Sequence, residues 1–105
     1  GKVRAHKGID YAAPTGTPIY AAGDGRIEFA GRKGGYGNAV VINHGRNIPT
    51  LYGHMSRIGN SARNGHAVRQ GAVIGYVGST GFSTGPHLHY EVRVNGNPVD
   101  PMGYL

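Results

Sequence analysis

The strongest chemical signal in the sequence is a pair of histidines, His87 and His89, late in the chain. The segment 89–94 is rich in β-branched and aromatic residues and is followed by an Asn-Gly turn signal, so we predict a strand. Side chains in a strand alternate between its two faces, so the two histidines point the same way. Two imidazoles on one face can share a metal ion, or one can bind it while the other faces a substrate. The alternative is a polar strand face without chemistry.

Two residues near the start of the chain, His6 and Asp10, could complete such a site. A catalytic zinc ion commonly takes three protein ligands from histidines and carboxylates and leaves one position open. The candidates are His6, Asp10 and one of His87 or His89. We predict an irregular segment around His6 and Asp10, because a loop with two prolines and a glycine follows at 12–18. A turn could bring both side chains to one ion, although an exposed histidine and a capping aspartate are the alternatives.

A further histidine, His54, is a candidate general acid or base, because the unperturbed pKa of imidazole lies near neutrality. It lies in the segment 50–56, which we predict to be a strand. Regular alternation places Tyr52, His54 and Ser56 on one face, which would be polar or turned toward a site. Leu51 and Met55 would lie on the other.

The remaining polar candidates have weaker signals. His44 ends a predicted strand and is interpreted as structural, and His66 lies in a polar loop and is interpreted as a surface residue. Ser79 and Ser83 lie in a plausible loop, but a Gly-x-Ser-x-Gly motif is absent from the sequence, which argues against a serine nucleophile of that kind. A His-Glu-x-x-His motif is absent as well.

The composition indicates one small domain with many turns. The chain has 105 residues, 20 of them glycine, and neither cysteine nor tryptophan. The lack of cysteine excludes disulfides and thiolate metal sites. The net charge of +6 favours an anionic partner such as a cell wall, acidic peptides, nucleic acid or a membrane surface. No apolar stretch approaches the roughly 20 residues that span a bilayer.

Short strands at regular spacing predict an all-β fold, a small antiparallel sheet or sandwich. The predicted strands are 19–22, 26–30, 38–44, 50–56, 67–69, 73–78 and 89–94. Predicted loops and turns include a glycine-rich hairpin at 31–37, a loop at 79–86 and a turn at 97–101. A faint echo between two β units also suggests a lipoyl-type carrier domain. Lys33 would then carry the cofactor, but it lacks the usual flanks and the histidines would stay unexplained.

Three motifs together resemble those of the lysostaphin/LytM-type zinc endopeptidases. They are His-x-x-x-Asp at His6 and Asp10, Leu-Tyr-Gly-His-Met-Ser around His54, and Gly-Pro-His-Leu-His-Tyr-Glu at His87 and His89. The likeness extends from about residue 2 to the end of the chain. The first motif alone is weak, whereas all three in this order are specific.

The resemblance implies a lysostaphin-like barrel-sandwich hybrid with a substrate groove over the sheet. It implies that His6, Asp10 and His89 bind one zinc ion, and that His54 and His87 act on the attacking water and the developing oxyanion. Members of the family hydrolyse peptide cross-links or bridges of peptidoglycan. We expect a D,D-endopeptidase acting on stem-peptide cross-links rather than on glycyl-glycine bridges. The alternative is a non-catalytic wall-binding or activator module of the same fold.

The resemblance also leads to expectations about the groove and the whole protein. The residues expected to line the groove are Tyr36, Ser79, Thr80, Ser83 and Thr84. The expected partners are peptidoglycan peptides and the anionic wall surface in the cell envelope, without nucleic acid. Residues 1–105 are expected to be a single peptidase domain, the C-terminal part of a longer protein. The family's usual upstream β segment, which could regulate the site, is not seen before His6.

Overall fold

The protein is described by a computed structural model that covers residues 8–46, 48–94 and 97–99. These residues form nine strands and one short 3₁₀ helix, Gly34–Tyr36. The strands are β1 (Ile9–Ala12), β2 (Pro18–Tyr20), β3 (Gly25–Arg32), β4 (Asn38–Asn43), β5 (Pro49–Ile58), β6 (Ala67–Val68), β7 (Val73–Val77), β8 (His87–Val94) and β9 (Asn97–Val99).

The strands form one sheet in which every pairing is antiparallel. The main order is β1-β8-β5-β4-β3-β6, while β7 pairs with both β5 and β2, and β9 pairs with β8. The predicted all-β antiparallel fold is therefore confirmed. Across the described parts of the chain, no helix is long and apolar enough to cross a membrane.

The core lies on the face of the sheet opposite the two histidines of β8. Leu88 packs against this core and Tyr90 belongs to it, as the predicted alternation requires. Tyr90 contacts Tyr52 of β5, with ring centroids 5.4 Å apart. The buried Tyr52 hydroxyl accepts a hydrogen bond from the backbone N–H of Ala22 (3.0 Å), so its polar atom is satisfied.

Two predictions of irregular structure are wrong. Asp10 lies in β1, which pairs with β8 in a register that places Asp10 opposite His89. The prolines that argued against regular structure come only after this strand ends. Residues 97–99, predicted as part of a turn, form β9 against the end of β8. For β1 the backbone hydrogen bonds come from a strand far away in the sequence, which local residue preferences do not reveal, whereas β9 is the second strand of a tight hairpin in which Asn97 pairs with Val94.

A β-bulge in β5 overturns the predicted faces of the segment 50–56. Along β4 the pairing advances from Val40 to Asn38, while along β5 it advances from Tyr52 to Met55, so β5 holds one extra residue. His54 occupies this irregularity with a positive φ of 62°. As a result Tyr52 and Met55 both lie in the core, and His54 is turned toward the histidines of β8.

Candidate active site

Three strands bring four of the candidate residues together on one face of the sheet. Asp10 comes from β1, His54 from β5, and His87 and His89 from β8. Asp10 Oδ1 lies 2.7 Å from His89 Nδ1 and 3.5 Å from His87 Nε2. The ring of His54 lies with its centroid 4.8 Å from that of His87 and 6.0 Å from that of His89. The fifth candidate, His6, lies outside the described residues.

The donor chemistry of Asp10 and His89 fits a zinc ion. One carboxylate and one imidazole are adjacent across two paired strands, and both are donor types that zinc takes. The Asp10 side chain is 63% exposed and that of His89 is 17% exposed, so the pair opens to solvent on the carboxylate side. Within residues 8–46, 48–94 and 97–99, no group of three or more potential metal-binding side chains is assembled. The described residues thus supply two of the three predicted ligands.

His54 is buried and fixed in one orientation by the backbone. Its Nδ1 lies 2.7 Å from the carbonyl oxygen of Thr80. Since a carbonyl can only accept, Nδ1 carries the proton and Nε2 keeps its lone pair. Burial lowers the pKa of His54, although the Thr80 carbonyl opposes that shift. A neutral imidazole with a free Nε2 is the form a general base needs.

His87 is oriented in the same way by the same loop. Its Nδ1 lies 3.0 Å from the carbonyl oxygen of Gly85 and 3.2 Å from Ser83 Oγ. The Ser83 hydroxyl donates to the Gly85 carbonyl at 2.7 Å, which fixes the local turn. Nδ1 of His87 therefore faces the loop, and its Nε2 faces Asp10. The loop 78–86 thus orients both histidines through backbone carbonyls.

The loop 78–86 is in turn held against the glycine-rich loop 33–37. Thr80 Oγ1 accepts from the Asn38 N–H at 3.0 Å and donates to the Met55 carbonyl at 2.7 Å. The Phe82 N–H donates to the Gly35 carbonyl at 2.8 Å. The two loops approach so closely that several of their glycines have no room for a side chain, and the positions of both histidines depend on this contact.

Replacing Gly37 with alanine is expected to destabilise the protein through this loop contact. A Cβ on Gly37 would lie 2.4 Å from the backbone carbon of Thr80, and Gly37 has a φ of 67°. Gly34 is the matched control, since it also has a positive φ but a Cβ there would meet nothing within 4 Å. We expect Gly37→Ala to lose about 1–3 kcal/mol more unfolding free energy than Gly34→Ala in urea titrations. Equal losses would show that the loops do not constrain each other.

A pocket of about 250 Å³ opens beside the histidines. Its lining consists of Gly35, Tyr36, His54, Phe82 and His89. Of the five residues predicted for the groove, Tyr36 lines this pocket. Thr80 and Ser83 instead contact His54 and His87, respectively, at the Nδ1 side of each ring. Ser79 and Thr84 are exposed and are not among the residues that line it.

The sequence analysis missed a residue at the rim of this pocket. Phe82 lines the pocket and is 90% exposed, so its aromatic ring is open to a ligand in the pocket. A Cβ on Gly35 would lie 2.9 Å from the Phe82 ring, so the glycine leaves room for that ring. An aromatic residue between glycines in a loop next to a histidine motif is the signal that could have identified it.

A hydrogen-bonded cluster of Tyr36, Glu91 and Arg93 was also missed. Glu91 Oε2 lies 2.7 Å from His89 Nε2 and accepts the Tyr36 hydroxyl at 2.8 Å. Burial by itself raises the pKa of Glu91, but bonds from His89, Tyr36 and Arg93 outweigh it and lower that pKa. Burial likewise lowers the pKa of His89, and the carboxylates of Glu91 and Asp10 reverse this shift. Strand alternation could have revealed the cluster, because residues 87, 89, 91 and 93 share one face.

Comparison with known proteins establishes the family. The model of Peptidase family M23 matches residues 4–101, so the chain belongs to this family. The resemblance carried by the three motifs is confirmed, and the carrier-domain alternative is wrong.

Relatives with known names agree with this membership. The chain is 62% identical over 99 residues to the DD-carboxypeptidase/endopeptidase Mpg of Neisseria meningitidis, covering 94% of the chain and 22% of that protein. It is 48% identical over 101 residues to the peptidoglycan DD-endopeptidase ShyC of Vibrio cholerae, covering 96% of the chain and 23% of that protein. A zinc-containing peptidase from Vibrio cholerae has the same fold, with a TM-score of 0.85 and 41% sequence identity. The match covers 92% of the present chain and 29% of that peptidase. The chain thus spans about a fifth of the length of its curated relatives.

Proposed function

We propose that this protein is a zinc-dependent endopeptidase that hydrolyses D,D peptide cross-links of peptidoglycan. The observation that carries the proposal is the convergence of Asp10, His54, His87 and His89 at one pocket. The names of two relatives support the substrate class and the bond. A zinc-containing relative of the same fold supports the metal.

In this proposal Asp10 and His89 hold the metal ion together with His6. Zinc, when bound, supplies Lewis-acid polarisation of the scissile carbonyl and acidifies water. His54 has its proton fixed on Nδ1 by Thr80, so its Nε2 is the atom that takes a proton from the attacking water. His87 presents Nε2 to Asp10, and as an imidazolium, which carries a proton on both nitrogens, it would donate from Nε2 to the developing oxyanion.

The pocket and the charge of the chain fit such a substrate. Phe82 and Tyr36 offer apolar surface beside the histidines, against which aliphatic parts of a peptide can pack. The net charge of +6 favours a wall rich in carboxylates. We infer that the protein acts in the cell envelope and that residues 1–105 form one peptidase domain.

Digestion of purified sacculi tests the proposal. The zinc-loaded protein is incubated with sacculi and with purified cross-linked muropeptides, and products are identified by mass spectrometry. We expect cross-linked dimers to yield monomers with a new terminal D-alanine carboxylate, and no products in the presence of a chelator. Binding to sacculi without cleavage would instead support a non-catalytic activator module. Cleavage of glycine bridges alone would contradict the assigned bond.

A further inference from the structure

Glu91 is a carboxylate that the fold buries directly behind His89. It lies two residues after His89 on the same face of β8 and is 1% exposed. A buried carboxylate costs several kcal/mol unless charged or polar groups satisfy it, and apolar residues in its place are often as stable. The sequence contains only five acidic residues. A buried one among them therefore indicates a role other than general stability.

The hydrogen bonds of Glu91 use both of its oxygens and fix its position. Oε1 accepts from Arg93 Nε at 2.9 Å and lies 2.9 Å from Arg93 Nη2. Oε2 accepts from the Tyr36 hydroxyl at 2.8 Å and lies 2.7 Å from His89 Nε2. Arg93 also donates to the Tyr36 hydroxyl at 2.9 Å, which closes the cluster into a ring. The carboxylate therefore cannot turn away from His89 without breaking several charge-assisted bonds.

Packing closes the same cluster on two sides. The Tyr36 ring stacks on the His89 ring with centroids 5.6 Å apart and planes 29° apart. On another side, a Cβ added to Gly8 would lie 2.9 Å from Glu91 Cγ and 3.1 Å from His89 Cε1. These neighbours confine the imidazole ring of His89, and its hydrogen bond to the Glu91 carboxylate determines which ring nitrogen faces each partner.

We propose that Glu91, fixed by Arg93 and Tyr36, is a positioning residue that orients His89 for metal binding. Glu91 accepts the proton on Nε2 of His89, which presents Nδ1, the nitrogen 2.7 Å from Asp10, to the ion. This inference rests on the proposed function, because it takes His89 as a zinc ligand. Outer carboxylates that orient a ligating histidine typically contribute about 10- to 100-fold to metal affinity.

The zinc affinity of Glu91→Gln tests this inference. The glutamine has nearly the same shape but no charge, and its amide nitrogen would face donors on at least one side. We expect the zinc Kd to rise about 10- to 100-fold, measured by competition with a chromophoric chelator. Glu28→Gln is the matched control, because Glu28 is exposed on β3 and should leave the Kd unchanged. Tyr36→Phe keeps the stacked ring but loses the hydroxyl, and we expect a smaller rise than for Glu91→Gln.

Two further measurements distinguish a role of Glu91 in orienting His89 from a role in stabilising the fold. Long-range proton–nitrogen spectra of the zinc-loaded parent should show the His89 proton on Nε2. A purely structural Glu91 would lower the urea midpoint of the metal-free protein and leave the zinc Kd of both variants unchanged, which would overturn the inference. If the parent itself binds no zinc, the proposed function fails as well. If the parent binds zinc and cleaves sacculi but Glu91→Gln leaves the zinc Kd unchanged, only the proposed role of Glu91 is wrong.

Discussion

Replacing His54 with alanine is expected to lower kcat on cross-linked muropeptides by about 10²- to 10⁴-fold, the usual contribution of a positioned acid–base group. The reason lies in its geometry: Nδ1 is tied to the Thr80 carbonyl, and the bulge in β5 turns the ring toward His87. Zinc content should stay at the parent value, because His54 is not a proposed ligand. The measurement is single-turnover hydrolysis alongside metal analysis of the same preparation.

The control for this variant is His66→Ala. His66 is exposed, and the hydrogen bonds that involve it are made by its backbone N–H and carbonyl. It should retain parent turnover and parent zinc content. Parent-rate hydrolysis by His54→Ala would remove His54 from the mechanism, whereas loss of zinc from that variant would mean that its effect is structural.

His89→Ala is expected to abolish zinc binding at stoichiometric concentration and, with it, hydrolysis. His89 lies between Asp10 and Glu91, with one ring nitrogen 2.7 Å from each carboxylate, and its replacement removes one of the three proposed zinc ligands. The loss of affinity should exceed the about 10- to 100-fold assigned to an outer partner of a ligand. Equilibrium dialysis against buffered zinc, followed by metal analysis, measures the effect.

The comparison variant for His89→Ala is His87→Ala. The ring of His87 is tied to the loop 78–86 through its Nδ1, and it is assigned to the oxyanion rather than to the metal. It should keep its zinc while losing turnover. One zinc ion retained per chain by His89→Ala, with an unchanged Kd, would exclude His89 from the ligand set.

Much of the fold and part of the site follow from local patterns. The strand 89–94 was predicted from composition and period, whereas the observed β8 begins two residues earlier at His87, and the predicted alternation correctly places Tyr90 in the core. The closeness of Asp10 to His89 could not be predicted that way. It depends on the register of β1 against β8, which long-range pairing sets and local residues do not.

The position of His54 shows why regular strand alternation did not predict the correct faces of the residues around it. An extra residue in β5 reverses the faces beyond it, and the left-handed backbone of His54 is rare for residues other than glycine. Such irregularities occur preferentially at functional sites, where surrounding contacts maintain them. The Thr80 contact that does so here comes from a loop 26 positions later in the sequence.

The separation of 79 positions between Asp10 and His89 has a consequence for when activity can arise. Pairings between such distant segments form late and slowly, since the intervening chain must first be closed into a loop. A nascent polypeptide that ends before β8 carries neither His87 nor His89. On the proposed mechanism such a truncated chain lacks one proposed zinc ligand and one proposed catalytic histidine, so we expect it to hydrolyse no cross-links.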